Sequence, residues 1–395
     1  MKTGVLYRYN KWLPLTVWLY VLVVITIITL SPFRFQMPEE WEITTWISWE
    51  DSLANILLFI PFGFFFRLIF PRGKSWAVIW AGLAGLAFSL LVETAQLFLP
   101  GRYSAPADVV TNGAGALAGA LVTQLLLKWF PERPRRLFLL EYPMVHLFYL
   151  MIPFMWLGGL SESLQGFRIW LAILIGVMGA VLAGELYANL NPRFSLNCMS
   201  ISLFLFGVWF FTGQLLLLRK SGRFLLVTYG VLTCYLILRG LLNLPGSRQN
   251  GRFELPTLRK ILPILVVYLV ILNYFPFNFP EFHFTVSWTP LELDTDPTQQ
   301  SILRLLEFVA GVTLAGYMIA EMLGRWSIRN EWEIFWLYTF LASLVAELEF
   351  LRALNPLYGF CLIRLILGII GAWSGIFIYR RQLREIQNWR EHELI

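Results

Sequence analysis

Apolar runs of roughly 18 to 25 residues recur along this chain, separated by short polar or charged segments. Wound as helix at about 1.5 Å per residue, each run crosses the roughly 30 Å of hydrocarbon in a bilayer. The pattern predicts about twelve spans, near 12–30, 53–70, 76–98, 109–130, 137–160, 168–188, 196–218, 223–244, 261–277, 302–322, 332–350 and 359–379. Lipid offers the backbone no hydrogen-bonding partner, and the short alternating segments of a barrel are missing, so the spans are helices. The expected fold is all-α and polytopic. Hydrophobic residues at 57% against 14% charged exclude a soluble core of this length.

The net charge of +6 could suggest nucleic acid, but the basic residues cluster in short interhelical loops and at the termini. Arg67, Arg72 and Lys74 follow the second run; Lys128, Arg133, Arg135 and Arg136 follow the fourth. Arg248, Arg252, Arg259 and Lys260 precede the ninth, and Arg380, Arg381 and Arg384 follow the twelfth. These positions share one face with the N-terminus, and the positive-inside rule makes that face cytoplasmic. Both termini are then cytoplasmic, and the first run reads as a retained span, because Ser31-Pro32-Phe33 does not resemble a cleavage site. The acidic connections at 31–51 and 278–300 fall outside. One loop disagrees: Arg219, Lys220 and Arg223 would be external.

An internal repeat is also visible. S-P-F-R-F at 31–35 returns as F-P-F-N-F at 275–279, S-L-L-V-E at 89–93 as S-L-V-A-E at 343–347, and G-A-L-A-G at 115–119 as G-A-W-S-G at 371–375. The expected organisation is a first four-helix unit at 1–130, a middle helical block at 131–258, and a diverged second unit at 259–395 with a charged tail. Aligning the glycine pairs puts Arg364 in the place of Asp108; pairing Phe59 with Phe308 puts Arg304 in that of Asn55. Glu347 keeps the place of Glu93 on the letter match.

The chemistry concentrates between residues 51 and 112. Asp51 and Asn55 open the second span, Glu93 and Gln96 close the third, and Asp108 and Asn112 open the fourth, with Arg102 in the loop between the last two. Spacings of three or four residues put each pair on one helix face. All lie at similar depth on the outer side, with Arg102 placed to pair with Glu93 or Asp108. Carboxylates and amides at membrane depth cost a few kcal/mol or more, so seven together form a candidate site. Glu93 and Asp108 are the candidate acid and base, and Asp51, Asn55, Gln96, Arg102 and Asn112 the candidate ligand-binding groups. The plainer reading is a polar knot holding three helices together. Asp51, Glu93 and Asp108 offer oxygen ligands for a divalent cation, but sequence does not show convergence, and no metal is assigned.

D-S-L-A-N-I-L-L-F-I-P-F-G at 51–63, V-E-T-A-Q-L-F-L-P-G-R at 92–102 and A-D-V-V-T-N-G-A-G-A-L-A-G at 107–119 resemble the VanZ-like family of bacterial membrane proteins. The resemblance covers residues of about 12–130 well, and about 261–380 as a diverged copy. It implies a place in the bacterial plasma membrane. The family's founding member resembles a determinant of resistance to the glycopeptide teicoplanin, which implies an envelope or antibiotic-related role. The motif residues carry over as the family's polar signature, without assigned catalytic roles.

The remaining signals are mostly structural. Gly113, Gly115 and Gly119, like Gly371 and Gly375, lie inside apolar helices with no preceding strand, so they predict close helix packing and not a phosphate loop. The tryptophans near span ends, among them Trp12, Trp18, Trp41, Trp46, Trp49 and Trp76, read as an interfacial belt. Pro61 and Pro153 should bend their helices. Glu185 is expected to pair with Arg193, and Glu347, Glu349 and Arg352 with Arg304 and Arg364. Cys198, Cys234 and Cys361, and His146, His283 and His392, share no metal spacing, and no cofactor is specified. The expected function is recognition or modification of a lipid or lipid-linked glycan at the outer face. The alternatives are a transporter or flippase for a lipid-linked or amphiphilic small molecule, and a non-catalytic membrane scaffold. Membrane lipids are the expected partners, and nucleic acid is excluded.

Overall fold

In the computed structural model, residues 12–30, 33–38, 41, 43–44, 48–71, 73–129, 147, 150–152, 154–155, 157–158, 168–190, 196–242, 244, 246, 254–274, 286–288, 299–324, 331–354 and 359–393 are described. Among them, nine helices are long and apolar enough to cross a membrane, and Pro14–Leu30 and Ser202–Phe211 are shorter apolar helices. The protein is an all-α polytopic membrane protein. Large apolar side chains such as Ile79, Trp80, Leu90, Leu91 and Val110 stay exposed along the helices, where lipid and not water is the matching solvent. Most of the expected span at 137–160, with Pro153, lies outside the described residues.

The chain forms two compact units, residues 1–141 with 381–395, and residues 142–380. The expected middle block and most of the helices after it therefore share one unit.

The first unit contains α1 (Trp12–Leu30), α2 (Trp49–Leu68), α3 (Trp76–Gln96) and α4 (Pro106–Trp129). Glycine brings α2 and α4 into backbone contact. A Cβ built on Gly115 would lie 2.2 Å from the Ile56 carbonyl oxygen, one on Gly119 2.0 Å from that of Ile60, and one on Gly63 1.7 Å from that of Ala116. This is the expected small-residue packing. Beside it, α2 and α3 share an aromatic core in which Phe62 stacks on Phe88 at 5.6 Å. Pro61 stands inside α2, whose hydrogen-bonded span continues to Leu68.

Arg67, expected as a loop charge, is instead fully buried. Its Nε donates to Gln124 Oε1 at 2.8 Å and its Nη1 to the Phe70 carbonyl at 3.0 Å, so the cation satisfies the C-terminal end of α2. At the opposite end, the α1–α2 connection lies along the α3–α4 loop. Gln36 N–H donates to the Phe98 carbonyl at 2.8 Å and Thr44 N–H to that of Ser104 at 3.0 Å, with Ile43 and Ser104 in a parallel bridge.

The second unit contains α5 (Arg168–Leu190), α6 (Leu196–Leu241), α7 (Glu254–Tyr274), α8 (Gln299–Gly324), α9 (Glu331–Ala353) and most of α10 (Leu362–Glu393). Two short strands, β1 (Val286–Ser287) and β2 (Phe360–Cys361), pair in parallel. Two expected spans, 196–218 and 223–244, appear as one 46-residue helix, α6. It is not straight. Phe211 and Tyr229 have ring centroids 4.7 Å apart, although the intervening residues would separate them by about 27 Å along a straight helix. The chain therefore turns back between them; Gly222–Leu241 is long and apolar enough to cross a membrane, and Ser202–Phe211 is a shorter apolar stretch.

Glu185 on α5 is buried and pairs with Arg239 at 2.9 Å and Lys260 at 2.7 Å; the expected partner Arg193 lies outside the described residues. On α9, Glu349 is buried and Glu347 exposed. Glu349 pairs with Arg364 at 2.9 Å and with Arg352 at 3.6 Å, as expected of that charged group, while Glu347 has no ion pair among the described residues.

Candidate functional site

Ser48 starts α2. Its hydroxyl accepts from Asp51 N–H at 3.0 Å and donates to Asp51 Oδ2 at 2.6 Å, a local relative of the capping box. Asp51 is exposed there. One turn on, Asn55 Nδ2 donates to Asp108 Oδ1 at 2.7 Å across the α2–α4 contact that Gly115 and Gly119 permit. Pro106 opens α4, where its missing N–H costs nothing, and Asp108 sits in the first turn facing the positive helix end.

Glu93, near the end of α3, reaches across to the chain entering α4. Its Oε2 accepts from Ser104 Oγ at 3.0 Å and from Ala105 N–H at 2.8 Å. One helical turn deeper on the same seam, Asn112 Nδ2 donates to Ser89 Oγ at 2.8 Å. Gln96 turns the other way and donates to the Thr29 carbonyl of α1 at 3.1 Å. The three rods therefore meet at their polar ends. Glu93 and Asp108 are close enough to repel each other, as are Asp108 and Asp51.

Arg102 departs from expectation. Its half-buried guanidinium pairs with neither Glu93 nor Asp108, and among the described residues it has no ion-pair partner. Burial lowers its pKa from the usual guanidinium value, yet arginine stays charged. Asp51, Glu93 and Asp108 are thus grouped with one another and have no cation among the described residues. Further capacity is left over. Glu93 Oε1 takes no hydrogen bond among the described residues, and Asn112 Oδ1 is buried without a partner. A buried polar atom without a partner is expensive and points to a missing donor. Among the described residues no three His, Cys, Asp or Glu side chains are grouped to hold a metal ion, so the divalent-cation alternative finds no geometry in Asp51, Glu93 and Asp108.

The sequence reading missed Ser48, Ser89, Ser104 and the Thr29 carbonyl. Ser48 and Asp51 were detectable as S-x-x-D before an apolar run, and Ser89 as the residue one turn before Glu93. Nothing in the sequence pointed to Ser104, which depends on how the loop folds back over α3.

Three ordered motifs with their intervening spans now share one end, and residues 12–127 match the VanZ/LLP1 family model. The first unit is VanZ-like. No curated protein and no solved structure matches the chain. The match takes in α1 to α4 up to Leu127, so all seven candidate residues lie within the VanZ-like segment.

Proposed function

We propose that the VanZ-like unit recognises the phosphate-bearing head group of an envelope lipid or lipid-linked glycan at the outer leaflet of the bacterial plasma membrane. The observation that carries this reading is Arg102: a half-buried guanidinium in the α3–α4 loop with no carboxylate partner among the described residues. A guanidinium fork suits phosphate oxygens, and burial beside apolar helices strengthens the contact by excluding water. Asp51 and the amide of Asn55 stand on the same outer end and offer hydrogen-bonding groups to sugar or ester oxygens. The positive-inside assignment supports the orientation, since the basic loops lie at the opposite ends of α2 and α4.

The reading is one of binding. Glu93 and Asp108 each use one oxygen within the fold, so an acid–base role would act through the other. The test is native mass spectrometry of the purified protein titrated with phosphatidylglycerol. Arg102→Gln should weaken the retained lipid at least fivefold, whereas Lys128→Gln, at the other end of α4, should leave it unchanged. Equal retention by wild type and Arg102→Gln would reject the proposal.

A further inference from the structure

The contacts of the first unit recur in the second at a fixed step along each helix. Gly115, Ala116 and Gly119 of α4 meet α2 as Gly371, Ala372 and Gly375 of α10 meet α8, each 256 residues further on. On the facing helix, Ile56, Ile60 and Gly63 correspond to Val309, Thr313 and Gly316, each 253 further on. Glu93 accepts from the backbone of Ala105, and Glu349 from that of Cys361 at 3.0 Å, again 256 further on. The parallel bridge of Ile43 with Ser104 matches that of Val286 with Phe360. Helix contacts, carboxylate and bridge agree on one register.

That register revises the letter alignment. Glu349, not Glu347, stands in the place of Glu93. Phe308 stands in the place of Asn55, Arg304 in that of Asp51, and Arg364 in that of Asp108. In the second unit the Arg364 guanidinium donates to Glu349 Oε2 at 2.9 Å, lies 4.0 Å over the Phe308 ring, and also bonds Asn273 Oδ1. The carboxylate there has a cation built in. The first unit has the same carboxylate, a second one where that cation would start, and no cation on either among the described residues. Two features point to a ligand. The equivalent carboxylate is already ligated by a guanidinium in the second unit, and Asn112 Oδ1, on a side chain only 5% exposed, lacks a donor one turn below Glu93.

We infer that residues 304–380 repeat the fold of 51–124, and that the VanZ-like unit takes an ammonium or guanidinium group between Glu93 and Asp108, where the second unit carries Arg364. This deepens the head-group reading without depending on Arg102: the head group it adds is one that carries a hydrogen-bonding amine. Its source is an amine-bearing lipid of the outer leaflet or a free amine.

The experiment uses the full-length protein in nanodiscs and native mass spectrometry, with phosphatidylethanolamine, phosphatidylcholine and phosphatidylglycerol as competing probes and ethanolamine as the soluble one. Wild type should prefer phosphatidylethanolamine over phosphatidylcholine at least fivefold, because the quaternary ammonium has no N–H to donate. Asp108→Arg with Asn55→Phe rebuilds the arrangement of the second unit. That double variant should unfold no earlier than wild type and lose the preference. Asp108→Asn, which keeps the shape, should reduce it. Displacement by ethanolamine assigns the site to a free amine, and its failure assigns it to the lipid. No preference in wild type, or a preference that survives in the folded double variant, overturns the inference. Loss of phosphatidylglycerol binding in Arg102→Gln bears only on the phosphate reading.

Discussion

Gly119→Ala tests the packing on which the site depends. A Cβ at this position would stand 2.0 Å from the Ile60 carbonyl oxygen, 2.8 Å from its carbon and 2.9 Å from Phe64 N, all backbone atoms that no rotamer change can move. Ordinary carbon–oxygen contact needs about 3.2 Å or more, so α2 and α4 must separate by about 1 Å. Overpacking of this kind costs about 1–3 kcal/mol, and here the upper end applies because helix axes have to shift. The same shift would stretch the Asn55–Asp108 hydrogen bond, now 2.7 Å, beyond useful length. Gly230→Ala on α6 is the control, since nothing lies within 4 Å of its Cβ. There the substitution should stabilise, by up to about 1 kcal/mol, through the better helix propensity of alanine. Thermal unfolding in detergent micelles, followed by tryptophan fluorescence, should show opposite shifts for the two variants. A Gly119→Ala protein that unfolds with Gly230→Ala would refute backbone contact between α2 and α4.

Further outcomes follow from single contacts. Asn55→Leu removes the donor to a half-buried carboxylate and should cost about 1–3 kcal/mol, read by chemical denaturation. Arg364→Met leaves Glu349 without its closest cation and should cost about 3–5 kcal/mol, whereas adding Glu349→Gln should recover most of the loss; a double variant as unstable as the single one would refute the pairing. Arg67→Met should destabilise by more than Lys74→Met, because Arg67 is buried on the α2 end and Lys74 is exposed, and equal melting shifts would contradict that placement.

The span pattern, the glycine contacts and the grouping of six polar residues at one end were legible because each follows from a local rule. Hydropathy gives the span, small residues permit close approach, and a spacing of three or four residues gives a shared face. Partner choice was not legible. Arg102 and Glu93 are close in sequence and opposite in charge, yet the loop backbone at Ser104 and Ala105 takes the carboxylate first. Arg67 looked like a loop charge because sequence does not show that Gln124, on another helix, stands opposite it. The register inferred above departs from the letter match for a geometric reason. S-L-L-V-E and S-L-V-A-E match by letter, but a two-residue slip rotates a helix by about 200°, so Glu347 turns outward while Glu349 faces inward. Letters tolerate such a slip, and helix faces do not.

Scaffolding alone does not require a carboxylate at Glu93. Both donors from the fold, Ser104 and Ala105, fall on the same oxygen. A glutamine amide oxygen could accept the same two hydrogen bonds from the same position, with far less desolvation than an ionised carboxylate. Its nitrogen would also escape the repulsion that Glu93 now has with Asp108. Structural pinning therefore accounts for an oxygen at this position but not for a charge. In the second unit the charge has a stated use, since Glu349 holds Arg364. In the first unit no residue of the described chain uses it, and a cation arriving from outside would give the same electrostatic balance.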